Sequence, residues 1–174
     1  MNIHDMICGV ISREGGYTDN PKDKGGATNF GITQKTLSTY LSRPVTKDEI
    51  RVLSKDLAYE IYEKNYFVVP RLNTLPDSVQ CQALDICVNS GQRTSIRLIQ
   101  RVINKAGFGP IPEDGVLGPT TRAKTFQCDN DMGKFFPNAL VDERIIFYKK
   151  IVASDDSQAG FLDGWINRAE SFRI

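Results

Sequence analysis

The stretch of sequence that decides the fold runs from Glu14 to Thr33 and reads EGGYTDNPKDKGGATNFGIT. Before it, apolar residues recur every three or four positions over residues 3–11, which predicts an amphipathic helix. Gly15 and Gly16 predict the end of that helix. The following residues are rich in Gly, Asp, Asn and Thr, a composition typical of turns. We therefore expect a helix followed by a Gly-rich loop or a short β-hairpin over residues 15–32.

Capping signals continue the helical pattern along the rest of the chain. Ser, Thr or Pro before an apolar run predicts a helix start, and glycine after it predicts a helix end. The predicted starts are Thr33, Thr46 with a capping box to Glu49, Ser54, Pro76 and Thr94, followed by helices over 120–127, 138–153 and 159–171. Strand signals are weak throughout. The sequence predicts a mostly α fold of about eight helices.

A seam between two lobes is predicted near Gly91, where one helix ends and the next begins. No low-complexity linker marks this point, so we expect two lobes that pack together and are not tethered by a flexible segment. The predicted lobes are residues 1–91 and a helical lobe of residues 92–174 packed on the first.

Composition argues against several classes of protein. Lys and Arg number 22 against 21 Asp and Glu, which gives no electrostatic case for binding nucleic acid or a membrane surface. The four cysteines form no C-x-x-C pair, so a zinc site is not expected. No apolar run is long enough to span a membrane, and the N-terminus does not resemble a signal peptide. We expect a monomer that is made in the host cytoplasm without a signal peptide.

Glu14 is the candidate catalytic acid. It stands at the end of an apolar helix, where we expect the core to half desolvate its carboxyl, and desolvation favours the protonated form that a general acid requires. Cleavage of a glycosidic bond needs such a proton donor and usually a second polar group across the sugar. Asp23 and Thr28 lie in the loop that folds back past Glu14. We predict that they hold a water or steady positive charge on the sugar.

The run E-G-G-Y-x-x-N-x-x-D-x-G-G-A-T-N-F-G-I-T resembles the signature of glycoside hydrolase family 108, a group of phage and bacterial N-acetylmuramidases. The spacing of Glu14, Asp23 and Thr28 is also similar to the Glu, Asp and Thr of phage lysozymes, where the last gap is usually one residue longer. Four further segments resemble this family, and the match covers nearly the full length: the aromatic residues from Tyr59 to Phe67, D-x-x-x-N-S-G from Asp85 to Gly91, the segment from Asp114 to Thr121, and Gly164 to Arg168. Phe67 stands where the family often has Trp.

The resemblance implies a lysozyme-like helical fold and hydrolysis of the β-1,4 bond between N-acetylmuramic acid and N-acetylglucosamine, with the family's catalytic glutamate at Glu14. It also implies a peptidoglycan-binding-like second lobe, no cofactor, and action on bacterial peptidoglycan in the periplasm or cell wall. In phage members a holin supplies the route out of the cytoplasm. Two alternatives stay open at this point: a lytic transglycosylase that uses the same acid, and a non-catalytic peptidoglycan-binding or secretion-accessory protein.

Six residues are predicted to contact substrate. They are Tyr17, Asn20, Asn29, Tyr62, Tyr66 and Asn89. For the tyrosines after Tyr59, a core stripe at helical spacing is the simpler interpretation, and for Asn89 a plain helix C-cap is equally good. A calcium loop starting at Asp19 is not expected, because Pro21, Lys24 and Phe30 occupy positions that the EF-hand pattern reserves for other residues. We therefore predict no metal site.

Overall fold

The computed structural model describes residues 2–19 and 26–174, which fold mostly into α-helices, as predicted. By their internal contacts, the residues group into two compact units, Met1–Val69 and Pro70–Ile174. The α-helices of the described residues are α1 (Ile3–Glu14), α2 (Gln34–Leu41), α3 (Lys47–Arg51), α4 (Lys55–Tyr62), α5 (Asp77–Ser90), α6 (Gln92–Lys105), α7 (Pro119–Met132), α8 (Phe135–Ser154) and α9 (Leu162–Glu170). Short 3-10 helices lie at Leu72–Thr74 and Asp156–Phe161.

The apolar face of α1 forms part of the core of the first unit. Met6, Ile7, Val10 and Ile11 are all buried on it, which confirms the periodicity of the sequence. The Asn2 side chain accepts a hydrogen bond from the Asp5 amide at 2.8 Å and so fixes the start of the helix. α1 packs against α4. This packing holds the last residue of α1, Glu14, on a rigid element.

Three predicted caps are present in the first unit. The Thr33 hydroxyl accepts from the backbone of Thr36 and starts α2. Thr46 and Glu49 form both hydrogen bonds of the capping box that starts α3. Ser54 accepts from the backbone amide of Leu57 at 3.1 Å and starts α4. Local capping chemistry therefore places these three helices.

A two-stranded antiparallel sheet lies within the region predicted to be a loop or hairpin. Its strands are β1 (Thr28–Asn29) and β2 (Ile32–Thr33). The turn residues between them, Phe30 and Gly31, both have positive φ, 51° and 74°. A two-residue type I′ turn requires this conformation at both positions. The hairpin is therefore tight, and its turn is the part of it closest to α1.

The chain after α4 continues as a π-helical segment, Glu63–Val68, which the sequence did not predict. Such segments widen the helix by one residue per turn and occur often at functional sites. Phe67 is buried in this segment, at the position where the resembling family often has Trp. The segment ends the first unit next to Val69.

The second unit is built from α5 to α9. Its largest fully buried side chains include Phe136, Ile96, Leu98 and Ile99. The prediction that Thr94 caps a helix is wrong, because α6 begins two residues earlier, at Gln92. Gly91, with φ of 87°, both ends α5 and starts α6, and only a short reversal separates the two helices.

Gln100 organises the segment that resembles the peptidoglycan-binding half. Its side-chain amide donates to Asp114 Oδ1 at 2.9 Å and to Thr121 Oγ1 at 3.2 Å, while its carbonyl accepts from the Gly115 amide at 2.9 Å. Gln100 is buried, so these bonds replace those it would make to water. Pro119 opens α7, as the turn-then-helix interpretation predicted. This segment thus has a structural role in the second unit.

The described helices include no candidate for a membrane span. None of those in residues 2–19 and 26–174 combines the length and the hydropathy that a membrane span needs. Cys8 is exposed, and Cys87 and Cys128 are buried. Burial raises the pKa of the Cys87 thiol to about 11, which keeps it protonated and unreactive at neutral pH.

Candidate active site

Glu14 is the last residue of α1 and is exposed. The next two residues, Gly15 and Gly16, leave open space beside it, since a Cβ atom on either would meet no heavy atom of the described chain within 4 Å. The residue as a whole is exposed, and half desolvation of its carboxyl by the core stays a prediction. The helix end carries Glu14 out of the apolar face, and the carboxylate is accessible from the side of the two glycines.

Gly31 brings the hairpin turn against two side chains of the site. A Cβ atom at Gly31 would lie 2.7 Å from Tyr62 Oη and 3.1 Å from Glu14 Oε2. A side chain at this position would force Tyr62 Oη to shift and would crowd the Glu14 carboxyl, and the positive φ of Gly31 also disfavours other residues. The glycine therefore lets α1, the hairpin and α4 meet around one carboxylate.

Tyr62 links α4 to the hairpin turn. Its hydroxyl donates to the Phe30 carbonyl at 2.9 Å, and its ring stacks on Tyr66 at 5.3 Å between centroids. Burial, the negative charge of Glu14 and the neighbouring Tyr66 all raise the pKa of Tyr62 above its ordinary value. The hydroxyl therefore stays protonated and keeps donating. The Tyr62 ring belongs to the core, and direct contact of Tyr62 or the half-buried Tyr66 with substrate stays a prediction.

Thr28 and Asn29 are neighbours on β1 and face opposite sides of it. Thr28 pairs with Thr18 through two backbone bonds of 2.8 Å and a hydroxyl contact of 2.9 Å. Asn29 is buried, and its amide nitrogen donates to the carbonyls of Ile50 and Arg51 at 3.0 and 3.1 Å. These bonds cap the end of α3 and give Asn29 a structural role. The predicted catalytic role of Thr28 and substrate contact of Asn29 stay predictions.

Tyr17 is half-buried and lies against α3. The guanidinium carbon of Arg51 stands 4.8 Å from the ring centroid, in cation–π geometry. The next acidic residue, Asp19, pairs with Lys47 at 3.0 Å. These contacts attach the chain that follows Glu14 to α3, the second helix after the hairpin. Arg51 covers one face of the Tyr17 ring, and substrate contact of Tyr17 stays a prediction.

Two predicted site residues, Asn20 and Asp23, lie outside the described residues. The relation of Asp23 to Glu14 therefore remains a prediction. Among residues 2–19 and 26–174, no group of three or more His, Cys, Asp or Glu side chains is arranged to hold a metal ion.

Asn89, the last predicted contact, is exposed at the end of α5 in the second unit. Its amide donates to the Asp85 carbonyl at 2.6 Å. The Asp85 carboxylate is 1% exposed and binds two arginines, Arg144 through Nη2 and Arg168 through Nη2 at 2.7 Å. The resemblance identified Asp85 and Arg168 but not their pairing.

Arg144 is a functional candidate that sequence reasoning missed. It is fully buried on α8, with Leu140 one turn before it and Tyr148 one turn after it. Arg144 Nε donates a hydrogen bond to the Tyr148 hydroxyl at 2.8 Å. The sequence does contain a signal, which is a charged residue inside an apolar stripe at helical spacing. Such a residue is expected to be buried, and a buried charge requires a partner. Gly31 was missed as well, since the sequence does not tell which loop glycine approaches Glu14.

The chain matches two family models. Residues 7–91 match the model described as Glycosyl hydrolase 108, and residues 94–170 match the one described as Predicted Peptidoglycan domain. Among solved structures, the chain is similar to that of Brucella abortus SagA, with 34% identity and a TM-score of 0.72 over 97% of this chain and 90% of that chain. The comparison with curated proteins gives no match. The compact units divide between Val69 and Pro70. The predicted lobe boundary after residue 91 stays a prediction.

Proposed function

The chain belongs to the glycosyl hydrolase 108 family, and from this premise we propose that it is an N-acetylmuramidase with Glu14 as its general acid. The two matched family models support the assignment of a glycoside hydrolase that acts on peptidoglycan. The proposal adds the bond, which is the β-1,4 linkage between N-acetylmuramic acid and N-acetylglucosamine, and the residue that protonates it.

The observation that carries the proposal is the open side of Glu14. Its carboxyl is exposed at the end of a packed helix, beside two glycines and the Gly31 turn. A glycan strand can approach this side closely, because no side chain projects from the two glycines. The fixed helix supplies the orientation that proton transfer needs.

In the proposed reaction, protonated Glu14 donates its proton to the glycosidic oxygen while the bond to the anomeric carbon breaks. Positive charge develops on the ring carbon and oxygen. A water then attacks the anomeric carbon and releases a proton, so that the sugar is neutral with a reducing end and the Glu14 carboxylate can be reprotonated for the next cycle. We assign the steadying of this charge and of the water to Asp23 and Thr28, as the sequence predicted.

Product chemistry tests the bond and the reaction together. Purified sacculi would be digested with the full chain, and the soluble fragments analysed by mass spectrometry after borohydride reduction. We expect reduced N-acetylmuramic acid at the fragment ends. Reduced N-acetylglucosamine ends would overturn the assigned bond.

A lytic transglycosylase is the second candidate, because a single acid serves it equally well. In that reaction the C6 hydroxyl of muramic acid attacks in place of water. Anhydro-muramic ends in the same analysis would establish it and remove the hydrolase proposal. If sacculi are bound but not cut, the chain is instead a non-catalytic peptidoglycan-binding or secretion-accessory protein.

For the biological role we propose an endolysin that lyses bacterial cells. This role follows from the resemblance to phage members of the family. Expression in a bacterial host with and without a co-expressed holin tests it. We expect rapid loss of culture turbidity only with both proteins. Equal turbidity with and without this chain, in the presence of the holin, would contradict the role.

A further inference from the structure

A cavity of about 640 Å³ lies in the first unit, between α1 and α4. Its lining includes His4 and Cys8 from α1, and Lys55 and Tyr59 from α4. This volume is in the range of pockets that take small molecules. Both His4 and Cys8 are exposed. The cavity therefore gives a small molecule access to a thiol and an imidazole on the same helix.

The thiol of Cys8 and the imidazole of His4 form a side-chain pair. Residues four apart lie on one face of an α-helix, and Cys8 Sγ is 3.7 Å from His4 Nε2, within hydrogen-bond distance for sulfur. In the tautomer that carries its proton on Nδ1, His4 Nε2 accepts a hydrogen bond from the thiol. The imidazole is therefore placed to take the proton that Cys8 loses when its sulfur acts as a nucleophile.

Tyr59 restricts the orientation of the His4 ring. The two rings pack at 5.1 Å between centroids, with an angle of 45° between their planes. The Tyr59 hydroxyl donates to Glu63 Oε1 at 3.4 Å, so Tyr59 is also held at its far end. Because α1 and α4 pack against each other, the ring contact joins two fixed elements. The tertiary structure therefore holds the imidazole close to the thiol before any reagent arrives.

We propose that Cys8 and His4 form a site of reversible thiol modification by small disulfides. Cys8 Sγ attacks one sulfur of the disulfide while His4 Nε2 takes the thiol proton. A new S–S bond joins Cys8 to one half of the reagent, the original S–S bond breaks, and the departing thiolate takes up the proton from His4. The inference goes beyond the proposed function and does not rest on it, because the exchange needs neither Glu14 nor a glycan.

An uncharged reagent, 2-hydroxyethyl disulfide, tests the role of His4, since its approach does not depend on the charges that line the cavity. The folded full chain would be treated with it, and acid-quenched samples analysed by intact and peptide mass spectrometry. We expect the first mixed disulfide at Cys8, and we expect dithiothreitol to remove it. In His4→Gln, which keeps a hydrogen-bonding side chain but no base, the rate at Cys8 should fall about tenfold.

Lys55→Gln is the matched control, because it introduces the same amino acid at another exposed position of the cavity wall. Its rate should stay within about twofold of the parent, since salt screens an exposed charge. In guanidinium chloride the helix is lost, and the parent and His4→Gln should react equally. The proposal would be overturned by a first adduct on another cysteine, by equal rates for the folded parent and His4→Gln, or by an equal fall in both variants. A difference that persists in the unfolded chain would also overturn it.

Discussion

Two carboxylates in segments that resemble the family, Glu14 in the first unit and Asp85 in the second, have opposite surroundings. Glu14 in the first unit is exposed at a helix end, beside glycines. Asp85 in the second unit is buried and bound by two arginines. An exposed carboxylate is accessible to a ligand, whereas a buried carboxylate held by two cations is enclosed by its protein partners. Similarity to a family signature therefore does not by itself tell which acid a ligand can reach, and the surroundings of each acid do.

The largest expected effect on stability comes from Asp85→Asn. Removing the charge leaves two arginines in the second unit without their acidic partner, and we expect a loss of about 3–5 kcal/mol in the free energy of unfolding. Chemical denaturation measures it. Asp142→Asn is the matched control, because Asp142 pairs with Arg173 at an exposed site and should cost about 1 kcal/mol or less. Similar losses for both variants would remove the contrast between the two carboxylates.

Gly31→Ala should reduce stability and activity together. The new methyl group would collide with Tyr62 and Glu14, and the positive φ adds strain, for a combined cost of about 1–3 kcal/mol. Denaturation and sacculus digestion measure the two effects. Gly107→Ala is the control, since Gly107 also has positive φ, 84°, but open space beside it. Unchanged hydrolysis by Gly31→Ala would show that the hairpin turn does not position the acid.

Asn29→Ala should destabilise the first unit by about 1–2 kcal/mol, because it removes two hydrogen bonds to buried carbonyls at the end of α3. Well below the melting temperature, we expect its hydrolysis rate to stay within about threefold of the parent. In free energy, a threefold change is less than the contribution of one such hydrogen bond. A normal melting curve with strongly reduced hydrolysis would instead favour the predicted substrate contact.

The smallest effect is expected from Tyr62→Phe, which removes one hydrogen bond to the Phe30 carbonyl and costs about 1 kcal/mol at neutral pH. Because the pKa of Tyr62 is raised in the fold, its contribution is complete below the ordinary tyrosine pKa of 10.0 and is lost as the pH rises above it. The variant should therefore lose less stability than the parent in this alkaline range. The hydroxyl contacts of Tyr17 with the described residues are long, 3.4 and 3.5 Å, so Tyr17→Phe should behave like the parent.

Local chemistry made much of the fold predictable. Thr33, Thr46 and Ser54 cap helices where the sequence placed them, because capping depends on residues within one turn. The start of α6 at Gln92 was misplaced, since a glycine reversal can start a helix without a capping side chain. The π-helical segment at Glu63–Val68 could not be predicted either, because its residues follow the apolar spacing of an α-helix.

The sequence names the residues of the candidate site, whose roles stay predictions, but it does not reveal the contacts around them. The sequence pointed to Glu14 through its loop, yet whether a carboxyl at a helix end turns inward depends on tertiary packing. The pairing of Asp85 with Arg168 joins residues far apart in sequence, as does that of Gly31 with Tyr62. No local pattern encodes such pairings, and they decide which acid is available for chemistry.

The measurement that tests the central claim most directly is the hydrolysis of sacculi by Glu14→Gln beside Glu60→Gln, an exposed control on α4. We predict that Glu14→Gln reduces the initial rate about 100- to 10,000-fold, the range for loss of a general acid, while its melting curve and binding to sacculi match those of the parent. Glu60→Gln should retain full activity. A rate for Glu14→Gln within a few-fold of the parent would contradict the assignment of Glu14 as the catalytic acid.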